Sequence, residues 1–130
     1  MKILIINRSP SGERSNTMVL TRAFLEGAGW SEAEIIHVAE ANVGGCSGCF
    51  SCWAVTPGQC VIQDDMDSIL PKLIAADAII WSFPLYYYSV PGQLKNLIDR
   101  QLPLNLPEMT EGSQSGDHPS RYDLSHQRTC

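Results

Sequence analysis

Four cysteines lie within one short segment of this sequence: Cys46, Cys49, Cys52 and Cys60. Their spacing, Cys-x2-Cys-x2-Cys-x7-Cys, gathers soft thiolate ligands. Two tight Cys-x2-Cys steps followed by a more distant fourth cysteine can wrap a four-iron, four-sulfur cluster. The same four residues could hold zinc in tetrahedral geometry or serve as redox-active thiols. The spacing leaves these three alternatives open, and all of them favour metal or redox chemistry over a disulfide framework.

A second group of polar residues follows the first apolar run of the chain. Residues 7–14 are rich in turn formers, and Ser15 or Asn16 then offers the N-cap of a predicted helix. The hydroxyls of Ser9, Ser15 and Thr17 and the amide of Asn16 therefore surround a predicted helix N-terminus, which attracts anions. Neither the Walker phosphate loop nor the dinucleotide glycine pattern is present. The segment suits a terminal phosphate monoester such as that of FMN, and an ordinary capped helix is the alternative.

A third group is aromatic and lies in residues 82–92, which contain three consecutive tyrosines. Flat side chains with polar tips suit a planar heterocycle. The same aromatics could instead be ordinary packing or interface residues. The residues that would line such a ring are Pro84, Leu85, Tyr86 and Tyr87.

The elements that must position these groups alternate along the chain. Short apolar runs at residues 3–6, 34–38 and 78–81 predict strands buried on both faces. Helical periodicity predicts helices over residues 17–28, from Asp64 or Asp65 to about residue 74, and from Pro91 to about Leu102. Residues 39–63 read as loop, and no periodicity survives after residue 107. This order predicts an α/β fold with a parallel sheet.

Composition limits the class of protein. The chain has 130 residues, 44% hydrophobic and 18% charged, which predicts a single folded domain over residues 1–130. A formal net charge of −5 disfavours nucleic acid as a partner. No apolar run is long enough to cross a membrane, and no signal peptide is visible. We therefore expect a cytoplasmic protein with no membrane partner.

Five segments taken in order resemble the flavodoxin-like NAD(P)H-dependent FMN reductase family, in particular its cysteine-bearing branch, the iron–sulfur flavoproteins. The segments that carry the resemblance are Asn7-Arg8-Ser9-Pro10 with Ser15-Asn16-Thr17, Cys46 to Trp53, Gly58-Gln59-Cys60 with Asp64-Asp65-Met66, Ser82 to Tyr86, and Leu94-Lys95-Asn96 with Ile98-Asp99-Arg100.

The resemblance implies a cofactor, a reaction and a set of roles. FMN would be bound, with its phosphate at Ser9, Ser15, Asn16 and Thr17 and its ring at the tyrosine segment. NAD(P)H would donate hydride to the flavin, and electrons would leave to a quinone, another flavin or a metal centre. The four cysteines would hold a 4Fe-4S cluster. The chemistry belongs to the cofactor, so no catalytic acid or base is expected.

The sequence departs from the family pattern in two places. Arg8 stands where the family usually has glycine, and no counterpart of the family's fourth and fifth strands is visible. We therefore expect a flavodoxin-like sheet, with helices on both faces, truncated after its third strand-helix unit. Its third strand would then be an edge, which predicts self-association. Three functions remain open: an FMN-dependent oxidoreductase, a non-enzymatic FMN electron carrier, and an incomplete copy that binds nothing tightly.

Overall fold

The computed structural model describes residues 1–105. Three parallel strands form its sheet, in the order β2-β1-β3. They are β1 (Ile3–Asn7), β2 (Glu34–His37) and β3 (Ala78–Ser82). The central strand β1 is buried along its whole length, as its unbroken apolar sequence predicts. The α/β architecture expected from the alternating pattern is confirmed.

Four α-helices accompany the strands: α1 (Asn16–Gly27), α2 (Ser51–Ala54), α3 (Met66–Ala75) and α4 (Gly92–Asp99). Two 3-10 turns, Gly12–Arg14 and Leu102–Leu104, complete the described elements. Helix α1 begins after the predicted cap Ser15 and is followed by Gly29, whose positive φ of 72° suits the left-handed end of a helix.

The core lies mainly between the sheet and helices α3 and α4. Leu4 and Ile6 of β1 point to this face, where they pack with the apolar residues Val38, Met66, Ile69, Leu70, Leu73, Leu94 and Leu97. Helix α1 covers the opposite face, and its Thr21 donates a hydrogen bond to the Ser82 hydroxyl, with 2.8 Å between the oxygens. Helices therefore lie on both faces of the sheet, as expected.

Several details differ from the sequence expectation. The predicted loop over residues 39–63 contains the short helix α2, which carries Cys52. Pro91 is the cap of α4 rather than its first residue, and Leu102 lies beyond the helix in a 3-10 turn. Helix α3 continues through Pro71 without interruption. The predicted loop from residue 107 onward lies outside the described residues.

The sheet edge formed by β3 is partly open. Within residues 1–105, β3 pairs only with β1. Its Ile79 and Trp81, opposite Leu4 and Ile6 in register, are exposed, and so is Leu85 just beyond the strand. No helix among the described residues is long and apolar enough to span a membrane.

Candidate functional site

The loop after β1, here called the hydroxyl loop (residues 8–17), is braced by both neighbouring strands. The Arg8 backbone N–H donates to the Ser82 carbonyl at 2.9 Å. The Ser9 N–H donates to Asn7 Oδ1 at 3.1 Å, and Asn7 Nδ2 lies 3.0 Å from His37 Nδ1. The buried Asn7 side chain therefore ties the start of the loop to the end of β2.

Ser15 caps α1 in a way that leaves a donor available. Its Oγ accepts the Met18 N–H at 3.1 Å. A hydroxyl also carries one proton that it can donate, so capping does not use up the group. The N–H groups of Asn16 and Thr17 begin the helix and have no acceptor within it. Ser9 and Ser15 are 5% and 6% exposed, Thr17 is half-buried and Asn16 is exposed. The four predicted phosphate residues thus share one short loop at a helix N-terminus.

Arg8 adds positive charge to the hydroxyl loop. Among residues 1–105, its Nε and Nη1 atoms are enclosed and have no hydrogen-bond partner. Leaving such donors unsatisfied costs free energy, and an anionic acceptor would remove that cost. The position of Arg8 between Asn7 and Ser9 makes it a candidate partner for an anion bound at this loop.

The loop after β3, here called the tyrosine loop (residues 83–90), is a tight turn. Tyr86 and Ser89 exchange both backbone hydrogen bonds, at 2.9 and 3.0 Å. Between them Tyr87 and Tyr88 adopt left-handed conformations, with φ of 46° and 62°, and both are 97% exposed. Two consecutive positive φ values in non-glycine residues are costly. This turn holds two aromatic rings away from the core.

The hydroxyl loop and the tyrosine loop begin where two adjacent parallel strands end, at the same edge of the sheet. Asn7 and Ser82 are paired in register, and each is the last residue of its strand. The carboxyl edge is where open α/β sheets bind ligands. The structure therefore brings the predicted phosphate residues and Pro84, Leu85, Tyr86 and Tyr87 to one edge.

The four cysteines of the motif line one small cavity, here called the cysteine cavity, with a volume of about 20 Å³. Cys52 is buried on α2, whereas Cys46 is exposed. Burial first, and then the neighbouring thiols of Cys60, Cys49 and Cys46, raise the pKa of Cys52. Among the described residues, no three Cys, His, Asp or Glu side chains lie together as a metal site. The cysteines thus converge without being at ligand spacing.

A buried ion pair lies beside this cavity. Arg100, which also lines it, is 1% exposed and binds both oxygens of Asp64, with Nη1 to Oδ2 at 2.7 Å and Nη2 to Oδ1 at 3.0 Å. Burial alone would raise the pKa of Asp64, but hydrogen bonds from Arg100 and from the Gly44 and Met66 N–H groups hold it below its usual value. The pair joins the cysteine segment to α3 and α4.

Comparison with known proteins assigns the chain to a family. Residues 1–111 match the profile of the family described as NADPH-dependent FMN reductase. The chain belongs to that family. The resemblance of its sequence segments to FMN reductases is thereby confirmed.

Several curated relatives are named iron-sulfur flavoproteins. An iron-sulfur flavoprotein of Archaeoglobus fulgidus is 40% identical over 102 residues, which are 77% of this chain and 48% of that protein. An iron-sulfur flavoprotein of Methanocaldococcus jannaschii is 40% identical over 108 residues, covering 82% of this chain and 54% of that protein. The chain spans about half the length of these curated relatives.

A solved structure supports the fold. The FMN-dependent NADH-azoreductase of Bacillus anthracis, determined in complex with FMN, superposes with a TM-score of 0.57 at 24% identity. The match covers 76% of this chain and 54% of that one. At this identity the likeness concerns the fold, and it agrees with the flavodoxin-like sheet of this FMN reductase family member.

Sequence reasoning misses two functional features, the pair of Arg100 with Asp64 and the Asn7 side chain. Arg100 carries part of the family resemblance without a predicted role, and Asp64 is predicted only as a candidate cap of α3. Their separation of 36 residues hides the pair. The one signal in the sequence is that an arginine directly follows the apolar stripe of α4. The other charged residues there, Lys95 and Asp99, form an exposed ion pair. Asn7 is likewise predicted only as a turn residue, because its partly buried bond to His37 depends on sheet register.

Proposed function

We propose that this chain binds FMN at the carboxyl edge of its sheet and passes electrons from NAD(P)H through the flavin to an acceptor. The observation that carries the proposal is the hydroxyl loop of a member of the FMN reductase family. There, Ser15 caps α1 and keeps a proton to donate, next to the N–H groups of Asn16 and Thr17, which have no acceptor within the helix.

The residues present fit the phosphate of FMN. A phosphate monoester offers several acceptor oxygens and negative charge, and a helix N-terminus favours both. Ser9, Ser15, Asn16 and Thr17 would hold it. The enclosed, unpartnered nitrogens of Arg8 supply the positive charge that the glycine usual in the family would lack. In this chain the Arg8 side chain would contact the phosphate, whereas a glycine at this position would let the backbone approach it closely.

Each part of the chain then has a defined task. FMN, when bound, supplies the capacity to accept a hydride and release electrons. The hydroxyl loop anchors the phosphate, and the bonds from Asn7 to His37 and to Ser9 keep that loop in place. Pro84, Leu85, Tyr86 and Tyr87 would line the ring and exclude water from it. No side chain needs to act as an acid or base.

The phosphate assignment is tested by comparing FMN with riboflavin, which has the same ring and no phosphate. Ser15→Ala with Thr17→Ala removes two hydrogen bonds to a charged group, each worth about 1.5–3 kcal/mol. FMN affinity, measured by fluorescence titration, should fall at least about tenfold, whereas riboflavin affinity should stay unchanged. Ser68→Ala, which removes a hydroxyl near the start of α3, is the matched control. Unchanged FMN affinity in the double variant would reject the assignment.

We further propose that Cys46, Cys49, Cys52 and Cys60 hold a 4Fe-4S cluster, as the names of the relatives suggest for those proteins. Support comes from the shared cavity and from the soft donor set, which suits iron and sulfide. Because the thiols are not at ligand spacing, cluster binding would require the segment around Cys46 to close. The cluster would exchange electrons with the flavin or an acceptor.

Anaerobic reconstitution with iron and sulfide tests the cluster. The wild type should take up roughly four irons per chain with visible absorption beyond that of flavin. Cys49→Ser should abolish this uptake and leave FMN binding nearly intact, while Cys130→Ser, outside the motif, should change neither. Less than about one iron per folded chain would leave zinc or thiol chemistry as the role of the motif.

An electron carrier without pyridine-nucleotide turnover is the second candidate, since the same loops would hold FMN in either case. The cysteine chemistry of both candidate functions requires a reducing compartment, so we place the protein in the cytoplasm.

We also propose that copies associate through the β3 edge, because Ile79 and Trp81 are exposed there. Analytical ultracentrifugation tests this, and a stable monomer that retains stoichiometric FMN would contradict it.

A further inference from the structure

His37, the last residue of β2, lies between two parts of the hydroxyl loop. Its Nδ1 is 3.0 Å from Asn7 Nδ2, and Asn7 in turn accepts the Ser9 N–H through Oδ1 at 3.1 Å. Its Nε2 is 3.3 Å from Glu13 Oε1, in the 3-10 turn of the same loop. A Cβ added to Gly12 would stand 4.0 Å from Nδ1, so this turn also packs against the ring. One imidazole therefore joins the start of the loop to its middle.

These contacts determine where the neutral imidazole carries its proton. Asn7 is fully buried, and its Oδ1 is the acceptor of the Ser9 N–H, so its amide points Nδ2 at His37. An amide nitrogen only donates, and His37 Nδ1 must then be the acceptor. The proton of the neutral ring is left to Nε2, which can donate it to the Glu13 carboxylate. The neutral ring with its proton on Nε2 satisfies all of these groups at once.

A second proton on the ring breaks this arrangement at Nδ1. Both nitrogens of a charged imidazole donate, so Nδ1–H would face the N–H groups of Asn7 Nδ2. Turning the Asn7 amide would give Nδ1–H an acceptor, but it would turn a donor toward the Ser9 N–H instead. Asn7 is buried away from water, and a buried donor without an acceptor is costly. Protonation therefore disturbs Asn7 or Ser9, both at the start of the loop.

The surroundings of His37 allow it to take up this proton. The side chain is 21% exposed, so its ring exchanges protons with solvent, and histidine normally changes charge between about pH 5 and 8. The ring faces the neutral Asn7 from β1 and Glu13 from the 3-10 turn, with Arg22 of α1 behind Glu13. The hydrogen bond from Arg22 is the main reason why the pKa of Glu13 lies below its usual value. Glu13 is therefore negative throughout this range and offsets the charge of a protonated ring, which leaves the lost bond at Asn7 as the main consequence.

We propose that neutral His37 holds the hydroxyl loop in the shape that binds phosphate, and that protonation of His37 releases the loop and weakens FMN binding. This inference rests on the proposed function, because it concerns the same phosphate site. The proton comes from solvent and adds to Nδ1, and no other covalent bond changes. His37 is accordingly a positioning residue that makes retention of the cofactor depend on pH. FMN affinity is full where His37 is neutral and falls as the pH is lowered.

FMN titration of the 130-residue protein by flavin fluorescence, at about pH 8 and about pH 5.5, tests the proposal. His37→Asn is the matched variant, because its amide oxygen can accept the Asn7 Nδ2–H but does not titrate. The phosphate of FMN takes up a proton in a similar range, which affects both proteins equally. On acidification the wild type should lose about tenfold more affinity than His37→Asn, the effect of one buried donor left without an acceptor. An equal loss in both proteins would overturn the inference.

Glu13→Gln separates this role from a merely structural one. Its amide oxygen still accepts the Nε2–H, but the negative charge that favours the protonated ring is gone. The fall in FMN affinity should therefore occur at a lower pH in this variant than in the wild type, and an unchanged midpoint would contradict coupling through the ring. The Glu13 side chain is 43% exposed, so the substitution leaves no buried group unpaired and the test stands even where His37→Asn does not fold.

Nitrogen NMR of the imidazole rings gives a readout that does not use FMN. The signals of His37 are identified by their loss in His37→Asn. At about pH 8 they should show the proton on Nε2, whereas a neutral ring with its proton on Nδ1 would overturn the inference.

Failure of the FMN site and failure of this inference give different results. A wild type that binds no FMN at about pH 8 overturns the proposed function, and pH-dependent release of FMN falls with it. A wild type that binds FMN with the same pH profile as His37→Asn overturns the role of His37 alone.

Discussion

The hydroxyl loop and the cysteine cavity are two candidate sites of this chain that are held in different ways. The hydroxyl loop is fixed mostly by backbone hydrogen bonds of 3.0 to 3.3 Å between residues three or four apart, together with the longer-range bonds of Arg8 to Ser82 and of Asn7 to His37. The cysteine cavity instead lies against a buried ion pair, in which Asp64 and Arg100 join segments 36 residues apart, and Trp53 of α2 donates to the Leu102 carbonyl across 49 residues. Order is mainly local in the first site and comes from long-range contacts in the second.

The difference shows how the two sites should respond to change. A loop held by backbone bonds keeps its shape when one side chain is altered, so substitutions there act mainly on ligand binding. A cavity wall that contains a buried charge pair is destabilised when that pair is broken, because the remaining charge is left buried and uncompensated. The hydroxyl loop should therefore separate affinity from stability, whereas the cysteine cavity should not.

The largest expected effect is at Arg100. Arg100→Met leaves the Asp64 carboxylate buried without its partner, which typically costs about 3–5 kcal/mol. Urea unfolding should show this loss. Lys95→Met is the control, because it breaks an exposed pair with Asp99 and should cost no more than about 0.5 kcal/mol. Equal losses in the two variants would mean that the cysteine cavity does not depend on its ion pair.

The same pair predicts a pH dependence. The pKa of Asp64 is lower in the fold than the value of about 3.9 expected in the unfolded chain, so the unfolded chain binds more protons. Its stabilisation is complete above about pH 4 and is lost as the pH falls through the folded pKa. Urea unfolding from about pH 5 downward should show a less steep loss in Asp64→Asn than in the wild type. Parallel curves would contradict the assignment.

Ser15 tests the other site. Ser15→Ala removes the acceptor of the Met18 N–H and should lower stability by about 1 kcal/mol, the usual cost of a lost cap. Thr17→Ala removes a hydroxyl with no capping bond, so it should weaken FMN while leaving the free energy of unfolding nearly unchanged. Thermal unfolding and FMN titration on both variants check this. A comparable loss of stability in Thr17→Ala would show that affinity and stability are coupled in the hydroxyl loop too.

The sequence was a good guide wherever order is local. The apolar run of β1 and the cap at Ser15 depend on neighbours in the chain, and both are found where they were expected. Membership in the FMN reductase family followed from short segments of the same kind. In contrast, α2 was missed because the composition of residues 39–63 resembles a loop, and Pro91 fits a cap as well as a first helical residue.

The site could be foreseen only in part. The positions of the hydroxyl and tyrosine loops follow from the rule that parallel strands share a carboxyl edge. The role of Arg100 could not be foreseen, because burial of a guanidinium depends on α4 packing over Gly44 and Asp64. Leu20 and Phe24 are among the apolar residues of the predicted helix over residues 17–28, yet both are exposed. Periodicity gives the apolar face of a helix but not what lies against it.

The smallest expected effect concerns the tyrosine loop. Glycine adopts left-handed backbone without strain, so Tyr88→Gly, at a φ of 62°, should raise the free energy of unfolding by about 0.5–1 kcal/mol and leave FMN affinity unchanged. Tyr87→Gly should stabilise similarly but weaken FMN, because Tyr87 is assigned to the ring. Equal FMN affinities in the two variants would remove Tyr87 from the proposed site.

As proposed above, this chain carries FMN and takes electrons from a reduced pyridine nucleotide. The most direct measurement is anaerobic stopped-flow mixing of the FMN-loaded 130-residue protein with NADPH or NADH, followed through the visible absorbance of the oxidised flavin. We predict that the flavin absorbance bleaches rapidly and that the bleaching rate saturates with nucleotide concentration. At limiting FMN, bleaching should be slower in the double variant Ser15→Ala, Thr17→Ala. Protein that holds FMN yet shows no bleaching with either nucleotide, while dithionite reduces it fully, would contradict the claim and leave an electron carrier.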